Sequence, residues 1–133
     1  MRNILITAII ACISQFGNAQ NNYIKYANIA YNTISGVNQN LLSLDIYKPT
    51  LYSGNRPVMI YIHGGYWFGG DKNNVGFKDN FFTDSGYVFV SINYRLSPDP
   101  VDTLSPTAVR FPIHPQDCAD AIKWVFDNIS NYG

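Results

Sequence analysis

A pair of glycines follows the apolar run Val58–Ile62 after a single histidine, in a segment that reads Tyr-Ile-His-Gly-Gly-Tyr-Trp from residue 61 to 67. Gly64 and Gly65 predict a tight turn at the end of a buried strand, where backbone N–H groups can point into a cleft. Donors held in this way stabilise negative charge on a reacting carbonyl oxygen. A side chain at Gly64 or Gly65 would obstruct both the turn and the approach of a substrate. The segment therefore predicts an oxyanion-binding turn, although His-Gly-Gly alone fits an ordinary strand-ending turn equally well.

The elements around this turn are predicted to form a β-α-β unit. The nearly unbroken apolar runs Val58–Ile62 and Tyr87–Ile92 are typical of parallel strands covered on both faces. The segment between them predicts a helix over residues 74–85 that stops at Gly86. Its apolar positions are Val75, Phe81 and Phe82.

An antiparallel hairpin is predicted before this unit, from Tyr23–Tyr31 and Leu41–Tyr47. Alternation in its second strand predicts one wetter face, with Ser43, Asp45 and Tyr47 opposite Leu42, Leu44 and Ile46. The Pro- and Gly-containing stretch Lys48–Pro57 predicts a surface loop.

A loop and a helix are predicted to follow the second parallel strand. Leu96–Pro112 contains four prolines and predicts a loop, and a helix is expected from Pro115. The apolar stripe predicted to face a sheet comprises Cys118, Ala121, Ile122, Val125, Phe126 and Ile129. The polar side opposite comprises Gln116, Asp120, Lys123 and Asp127.

From about Leu44 onward the chain resembles α/β-hydrolases of the esterase type, the branch of lipase-like carboxylesterases, acetyl-sugar esterases and arylformamidases. Four blocks carry the resemblance: Leu44–Pro49, the His-Gly-Gly-Tyr-Trp turn, Asn93–Pro98, and Phe111–Pro112 leading through Asp117 to residues 121–125. The resemblance implies a partial α/β-hydrolase fold, with an N-terminal hairpin followed by parallel strands with flanking helices.

The resemblance also implies roles for the residues of the turn. Gly65 and Tyr66 would donate backbone N–H groups to the developing oxyanion, Gly64 would make the turn and His63 would brace it. Tyr66 and Trp67 are expected to form the wall of a substrate pocket. The nucleophile of such enzymes lies in a Gly-x-Ser-x-Gly elbow, a pattern that no serine of this sequence fits. We therefore expect the nucleophile, the acid and the catalytic histidine beyond Gly133, and this segment to be inactive alone.

Other residues that could do chemistry are predicted to be structural. His63 and His114 are the only histidines, and His114 is expected to be a surface residue at a helix start rather than a general base. Asp71 is expected to cap the turn after Gly69 and Gly70, and Arg95 to pair with Asp117. Cys118 is expected to pack in the core.

The implied reaction is hydrolysis of a carboxylic ester, or of an amide such as an N-formyl arylamine, with a small molecule as partner. A non-catalytic binding or interaction module is the alternative. No cofactor and no metal are expected, because no Cys or His cluster and no phosphate-binding glycine loop occurs in the sequence. Nine basic and nine acidic residues leave no net charge, which makes nucleic acid and anionic membranes poor partners.

The N-terminus has the pattern of an export signal. Arg2 precedes the apolar run Ile4–Ile13, and Gly17-Asn18-Ala19 fits a cleavage site, so residues 1–19 are predicted to be a signal peptide. Residues 20–133 would then be the N-terminal part of a hydrolase catalytic domain, secreted or periplasmic, with no stable membrane insertion after removal of the signal. Lipoprotein anchoring at Cys12 is the less favoured alternative.

Overall fold

The computed structural model describes residues 21–97 and 108–132, in which four strands form one mixed sheet. The strands are β1 (Tyr23–Ala30), β2 (Ser43–Pro49), β3 (Val58–Ile62) and β4 (Val88–Ile92), in the order β1-β2-β4-β3. β2 pairs antiparallel with both β1 and β4, and β3 pairs parallel with β4. The predicted α/β architecture, with a hairpin followed by parallel strands, is confirmed. The predicted signal peptide, including Cys12, lies outside the described residues, as does most of the predicted Leu96–Pro112 loop.

Two helices flank the sheet, α1 (Lys78–Asp84) and α2 (Ile113–Asn128). Single 3-10 turns occupy Gln39–Leu42 and Ile129–Tyr132. α1 is shorter than predicted, because residues 71–77 form turns, and it stops as predicted at Gly86, whose φ is +82°. Neither helix in the described part of the chain is long and apolar enough to cross a bilayer.

The core has two parts, one on each face of the sheet. α2 covers the face that carries Leu44, Ile46, Val90 and Ile92, and it contributes the buried side chains Cys118, Ala121 and Val125. The other face carries Tyr47 and Phe89, which pack with Val75 and Phe82. The predicted core role of Cys118 is confirmed, since its side chain is buried between α2 and the sheet.

The prediction of a wetter face on the second hairpin strand is wrong. Ser43, Asp45 and Tyr47 are all buried, because β2 lies in the interior of the sheet between β1 and β4. The Asp45 carboxylate is neutralised there by two ammonium groups, Lys25 Nζ at 2.9 Å and Lys72 Nζ at 3.1 Å. A buried carboxylate needs such partners, since an unpaired charge would be costly away from water.

The predicted apolar stripes are wider than the faces that become buried. Phe81 on α1, and Ile122 and Phe126 on α2, are exposed. α2 instead buries the arc of residues 114, 117, 118, 121 and 125, which includes the polar side chains of His114 and Asp117. The sequence predicts that β3 is covered on both faces, but among the described strands it is one of the two edge strands, and Val58 and Ile62 are exposed.

Candidate active site

The turn after β3 has a left-handed backbone at three consecutive residues. The φ angles are +125° at Gly65, +54° at Tyr66 and +71° at Trp67. The Gly65 carbonyl closes the turn by accepting hydrogen bonds from the N–H groups of Phe68 (2.9 Å) and Gly69 (3.1 Å). A non-glycine residue in this region costs about 1–3 kcal/mol, and such strain is concentrated at functional sites.

Gly65, rather than Gly64, is the glycine on which the turn depends. A Cβ atom added to Gly65 would collide with the Gly69 carbonyl, whereas one added to Gly64 would meet nothing within 4 Å. Gly64 also lacks the positive φ of its neighbour. The expectation that the turn itself requires a glycine at position 64 is therefore wrong, because the left-handed conformation begins one residue later.

The amides of Gly65 and Tyr66 have no acceptor within residues 21–97 and 108–132. Neither N–H group donates to a backbone carbonyl or a side chain in this part of the chain. Both residues are exposed, so these N–H groups are open to an acceptor from outside the chain. Two adjacent donors in a fixed turn are the arrangement that an external oxygen anion could use.

His63 is held at the start of this turn by three contacts. Its Nδ1 lies 2.9 Å from the Gly64 carbonyl, which can only accept, so Nδ1 carries the proton. The imidazole stacks on the Tyr94 ring at 4.4 Å between centroids, and the Tyr94 hydroxyl donates to the His63 carbonyl at 3.0 Å. A side chain at Gly70 would strike both the His63 ring and the Gly64 carbonyl. His63 thus has the contacts of a bracing residue.

Asp71 fastens the segment that leaves the turn. Its carboxylate accepts the N–H of Asn73 at 2.8 Å, as well as the side-chain amides of Asn40 and Asn93, each at 3.1 Å. Burial alone would raise the pKa of Asp71, but these hydrogen bonds outweigh it and lower the pKa to about 2. The predicted capping role of Asp71 is confirmed.

Lys72 ties the same segment to the sheet through residues that the sequence analysis missed. Its N–H donates to Asn93 Oδ1 at 2.6 Å, and its carbonyl accepts from Ser91 Oγ at 2.7 Å. Its ammonium group, buried like the rest of the side chain, bonds Asn28 Oδ1 at 2.8 Å and pairs with Asp45. Polar residues at the end of an otherwise apolar strand were the signal that could have identified Ser91 and Asn93.

A cleft opens beside the turn, with a volume of about 390 Å³. Its lining includes Tyr66, Trp67, Phe68 and Phe111, together with Ser97 and His114. The structure therefore places Tyr66 and Trp67 in a pocket wall, where they were expected, and adds Phe68. Tyr66 is 91% exposed, so the cleft is open on its side.

His114 is buried, contrary to the expectation of a surface residue. α2 begins at Ile113, two residues before the predicted start, and this brings His114 against the turn. Its Nε2 lies 2.9 Å from Ser97 Oγ, and its ring centroid lies 5.2 Å from that of Trp67. Burial lowers the pKa of His114, Arg95 adds to this effect and Asp117 opposes it. The imidazole is therefore neutral at neutral pH.

The predicted pair of Arg95 and Asp117 is confirmed and is bidentate. Arg95 Nη2 lies 2.6 Å from Asp117 Oδ1, and Nε lies 2.8 Å from Oδ2. The Arg95 N–H also donates to Oδ2 at 3.0 Å. Hydrogen bonding to Asp117 raises the pKa of Arg95. This pair joins the segment after β4 to the N-terminal half of α2.

No group of three or more His, Cys, Asp or Glu side chains that could hold a metal ion occurs in the described part of the chain.

Comparisons with known proteins identify the family of this chain. The BD-FAE family model matches residues 44–133. Phenmedipham hydrolase of Pseudarthrobacter oxydans is 33% identical over 96 residues, which are 71% of this chain and 19% of that protein. Kynurenine formamidase of Salmo salar is 40% identical over 55 residues, 41% of this chain and 19% of that protein.

A solved structure described as a truncated form of a carbohydrate esterase from gut microbiota superposes with a TM-score of 0.59 at 26% identity. The match covers 86% of this chain and 37% of that structure. The chain spans about a fifth of the length of the curated relatives it matches. The family model covers more than half of the chain, and the relatives and the solved structure are described as hydrolases or esterases. The chain thus belongs to the BD-FAE family of esterase-like α/β-hydrolases.

Proposed function

We propose that this protein hydrolyses a small carboxylic ester by serine acylation, with the N–H groups of Gly65 and Tyr66 as the oxyanion hole. The observation that carries the proposal is the pair of adjacent amides without an internal acceptor, in a left-handed turn braced by His63 and Tyr94. Donors that are fixed before the reaction do not have to reorganise as charge develops, which is why they favour the transition state.

The serine nucleophile, the acid and the general base of this reaction are assigned to residues outside the 133 of this chain. No serine of the chain has glycine both two residues before and two residues after it. We infer that residues 1–133 supply oxyanion stabilisation and part of the pocket, and have no hydrolase activity alone. Export to the periplasm or the medium by the signal peptide is part of the same proposal, with lipid anchoring at Cys12 as the less favoured alternative.

Hydrolysis of an N-formyl arylamine is the second candidate. It is favoured by the similarity to kynurenine formamidase and by the aromatic wall of Tyr66, Trp67 and Phe68. The same oxyanion hole would serve, since amide and ester hydrolysis both pass through a tetrahedral oxyanion.

The test uses the full-length protein, expressed from the complete open reading frame in which residues 1–133 lie. Its hydrolysis of p-nitrophenyl acetate and of an N-formyl arylamine is measured. Gly65→Ala forces a Cβ against the Gly69 carbonyl and should lower kcat about a hundredfold, the cost of losing one oxyanion donor. Gly54→Ala is the matched control. It has a positive φ of +77° and no neighbour within 4 Å, so kcat should not change.

Tyr66→Phe separates the backbone donor from the side chain. It keeps the amide and removes only the hydroxyl, so kcat should stay within about twofold, less than the contribution of one hydrogen bond. A folded protein that hydrolyses neither substrate would contradict the proposal and favour the binding module. If Gly65→Ala does not change the rate of hydrolysis, the protein is still an esterase but the turn is not its oxyanion hole.

A further inference from the structure

We propose that Ser97 and His114 position the oxyanion turn through the carbonyl of Trp67, an inference that rests on the proposed function. The turn is held at its start by His63 and Tyr94, as described above. Its last left-handed residue, Trp67, is held separately. The N–H of Ser97 donates to the Trp67 carbonyl at 2.8 Å. This bond fixes the turn on the side of Tyr66, the second proposed oxyanion donor.

The Ser97 side chain links this bond to α2. A hydroxyl has one proton, and that of Ser97 is directed to the Val109 carbonyl at 2.9 Å. The contact of 2.9 Å with His114 Nε2 therefore has the imidazole as donor and Ser97 Oγ as acceptor. Ser97 thus joins the turn, the segment before α2 and α2 itself.

His114 also contacts the turn directly. Its ring packs against the Trp67 indole at a centroid distance of 5.2 Å, with the planes tilted by 39°. The imidazole is almost wholly buried, so it has little freedom to rotate away from Ser97. Trp67 is consequently fixed at two points, its carbonyl by Ser97 and its indole by His114.

This arrangement makes Ser97 and His114 positioning residues rather than a nucleophile and its base. A general base must accept the serine proton through a free Nε2 lone pair, but here Nε2 carries the proton. A small displacement of the Tyr66 amide weakens the contact with the oxyanion of the transition state more than it weakens substrate binding. Loss of these contacts should therefore lower kcat and leave KM nearly unchanged.

Four single variants of the full-length protein, and the double variant Ser97→Ala/His114→Ala, test the inference by ester hydrolysis. Ser97→Ala and His114→Ala each remove the contact between the two side chains. His114→Gln keeps an N–H donor near Ser97 Oγ and is the conservative rescue. Ser53→Ala is the matched control, because Ser53 lies in an exposed loop and the cavity that it lines includes no residue of the turn.

Ser97→Ala and His114→Ala should each lower kcat roughly five- to tenfold, the size of one net hydrogen bond, with KM within about twofold. The double variant should be no slower than His114→Ala alone, because the Ser97 hydroxyl acts on the turn through its contact with His114. His114→Gln should recover most of the loss, and Ser53→Ala should match the wild type. Additive losses, a change in KM alone, or no effect of Ser97→Ala would overturn the inference.

Two further measurements test the positioning role independently of the proposed function. The backbone amide resonances of Gly65, Tyr66 and Trp67 should shift in Ser97→Ala and not in Ser53→Ala, whether or not any substrate is turned over. Unshifted resonances would overturn the positioning role.

Mass spectrometry after incubation with p-nitrophenyl acetate should find Ser97 unacylated. An acetyl group on Ser97 would show that Ser97 is a nucleophile instead. If Gly65→Ala loses hydrolysis while Ser97→Ala and His114→Ala keep it, the proposed function stands and only the positioning role is refuted.

Discussion

At the scale of single residues, the candidate site consists mostly of backbone groups that glycines make accessible. The second glycine of each pair, Gly65 and Gly70, has a positive φ and a position where a Cβ would collide with the turn. The first members, Gly64 and Gly69, have open space around their Cα atoms. The two pairs therefore bracket one compact loop, in which only one glycine of each pair is sterically required.

Gly70→Ala should destabilise the protein by about 2 kcal/mol or more, since it adds a collision with His63 to the cost of a left-handed alanine. Gly54→Ala has the same kind of backbone cost without the collision and should lose only about 1 kcal/mol. Urea unfolding followed by circular dichroism measures both. Equal losses in the two variants would show that His63 does not occupy the space facing Gly70.

His114 should make stability depend on pH. Burial places its folded pKa below the ordinary value of about 6.5. Above that value the folded and unfolded states are both neutral. As the pH falls below it, the unfolded state binds a proton that the folded state does not, so the free energy of unfolding decreases. Asp117 and Arg95 are the charged groups that act on His114 in opposite directions.

His114→Gln should flatten the dependence of the unfolding free energy on pH between about 7 and 5, as measured by urea titration at several pH values. His63 remains in both proteins, so the difference between their slopes isolates His114. A steeper slope in the variant would mean that the imidazole is stabilised in its charged form.

At the scale of elements, the site lies where β3, β4 and the start of α2 meet. β3 leads into the oxyanion turn at His63, and β4 ends before Asn93, Tyr94 and Arg95, each of which contacts a different neighbouring segment. Asn93 holds the segment after the turn, Tyr94 holds His63, and Arg95 holds α2. Parallel pairing of β3 with β4 brings these two ends together, as it does in other α/β folds.

Arg95→Met should destabilise the protein by about 3 kcal/mol, because it leaves the buried Asp117 carboxylate without its counter-charge. Lys123→Met breaks the exposed pair with Asp127 in the same helix and should cost less than about 0.5 kcal/mol. Thermal unfolding of the two variants compares them. Similar losses would indicate that Asp117 gains access to water when Arg95 is removed.

The sequence predicted the elements better than it predicted their burial. Local signals sufficed for the hairpin, for the stop of α1 at Gly86 and for the glycine turn, because periodicity and glycine act over a few residues. The burial of Asp45 could not be read in this way, because it depends on β4 and Lys72, which come much later in the chain. His114 was misjudged for a similar reason, since only the tertiary packing of α2 brings it to Trp67.

At the scale of the whole molecule, the described sheet and α2 leave apolar surface uncovered. Phe126 is 85% exposed, and Ile122 lies one turn before it on the same side of α2. Val58 and Ile62 are exposed on β3, which has no neighbour on one side among the described strands. An unpaired strand beside exposed apolar side chains favours association between chains.

The 133-residue chain should therefore self-associate, with an apparent mass in sedimentation velocity that rises with concentration. Phe126→Ser removes the most exposed apolar side chain of α2 and should shift the distribution towards the monomer. Leu51→Ser is the matched control, because Leu51 is also exposed but lies in the loop after β2. If both variants associate like the wild type, the contact between chains is made through β3. In that case Val58→Lys should shift the distribution towards the monomer, although Phe126→Ser does not. A wild-type chain that stays monomeric at all concentrations would show that neither α2 nor β3 mediates self-association.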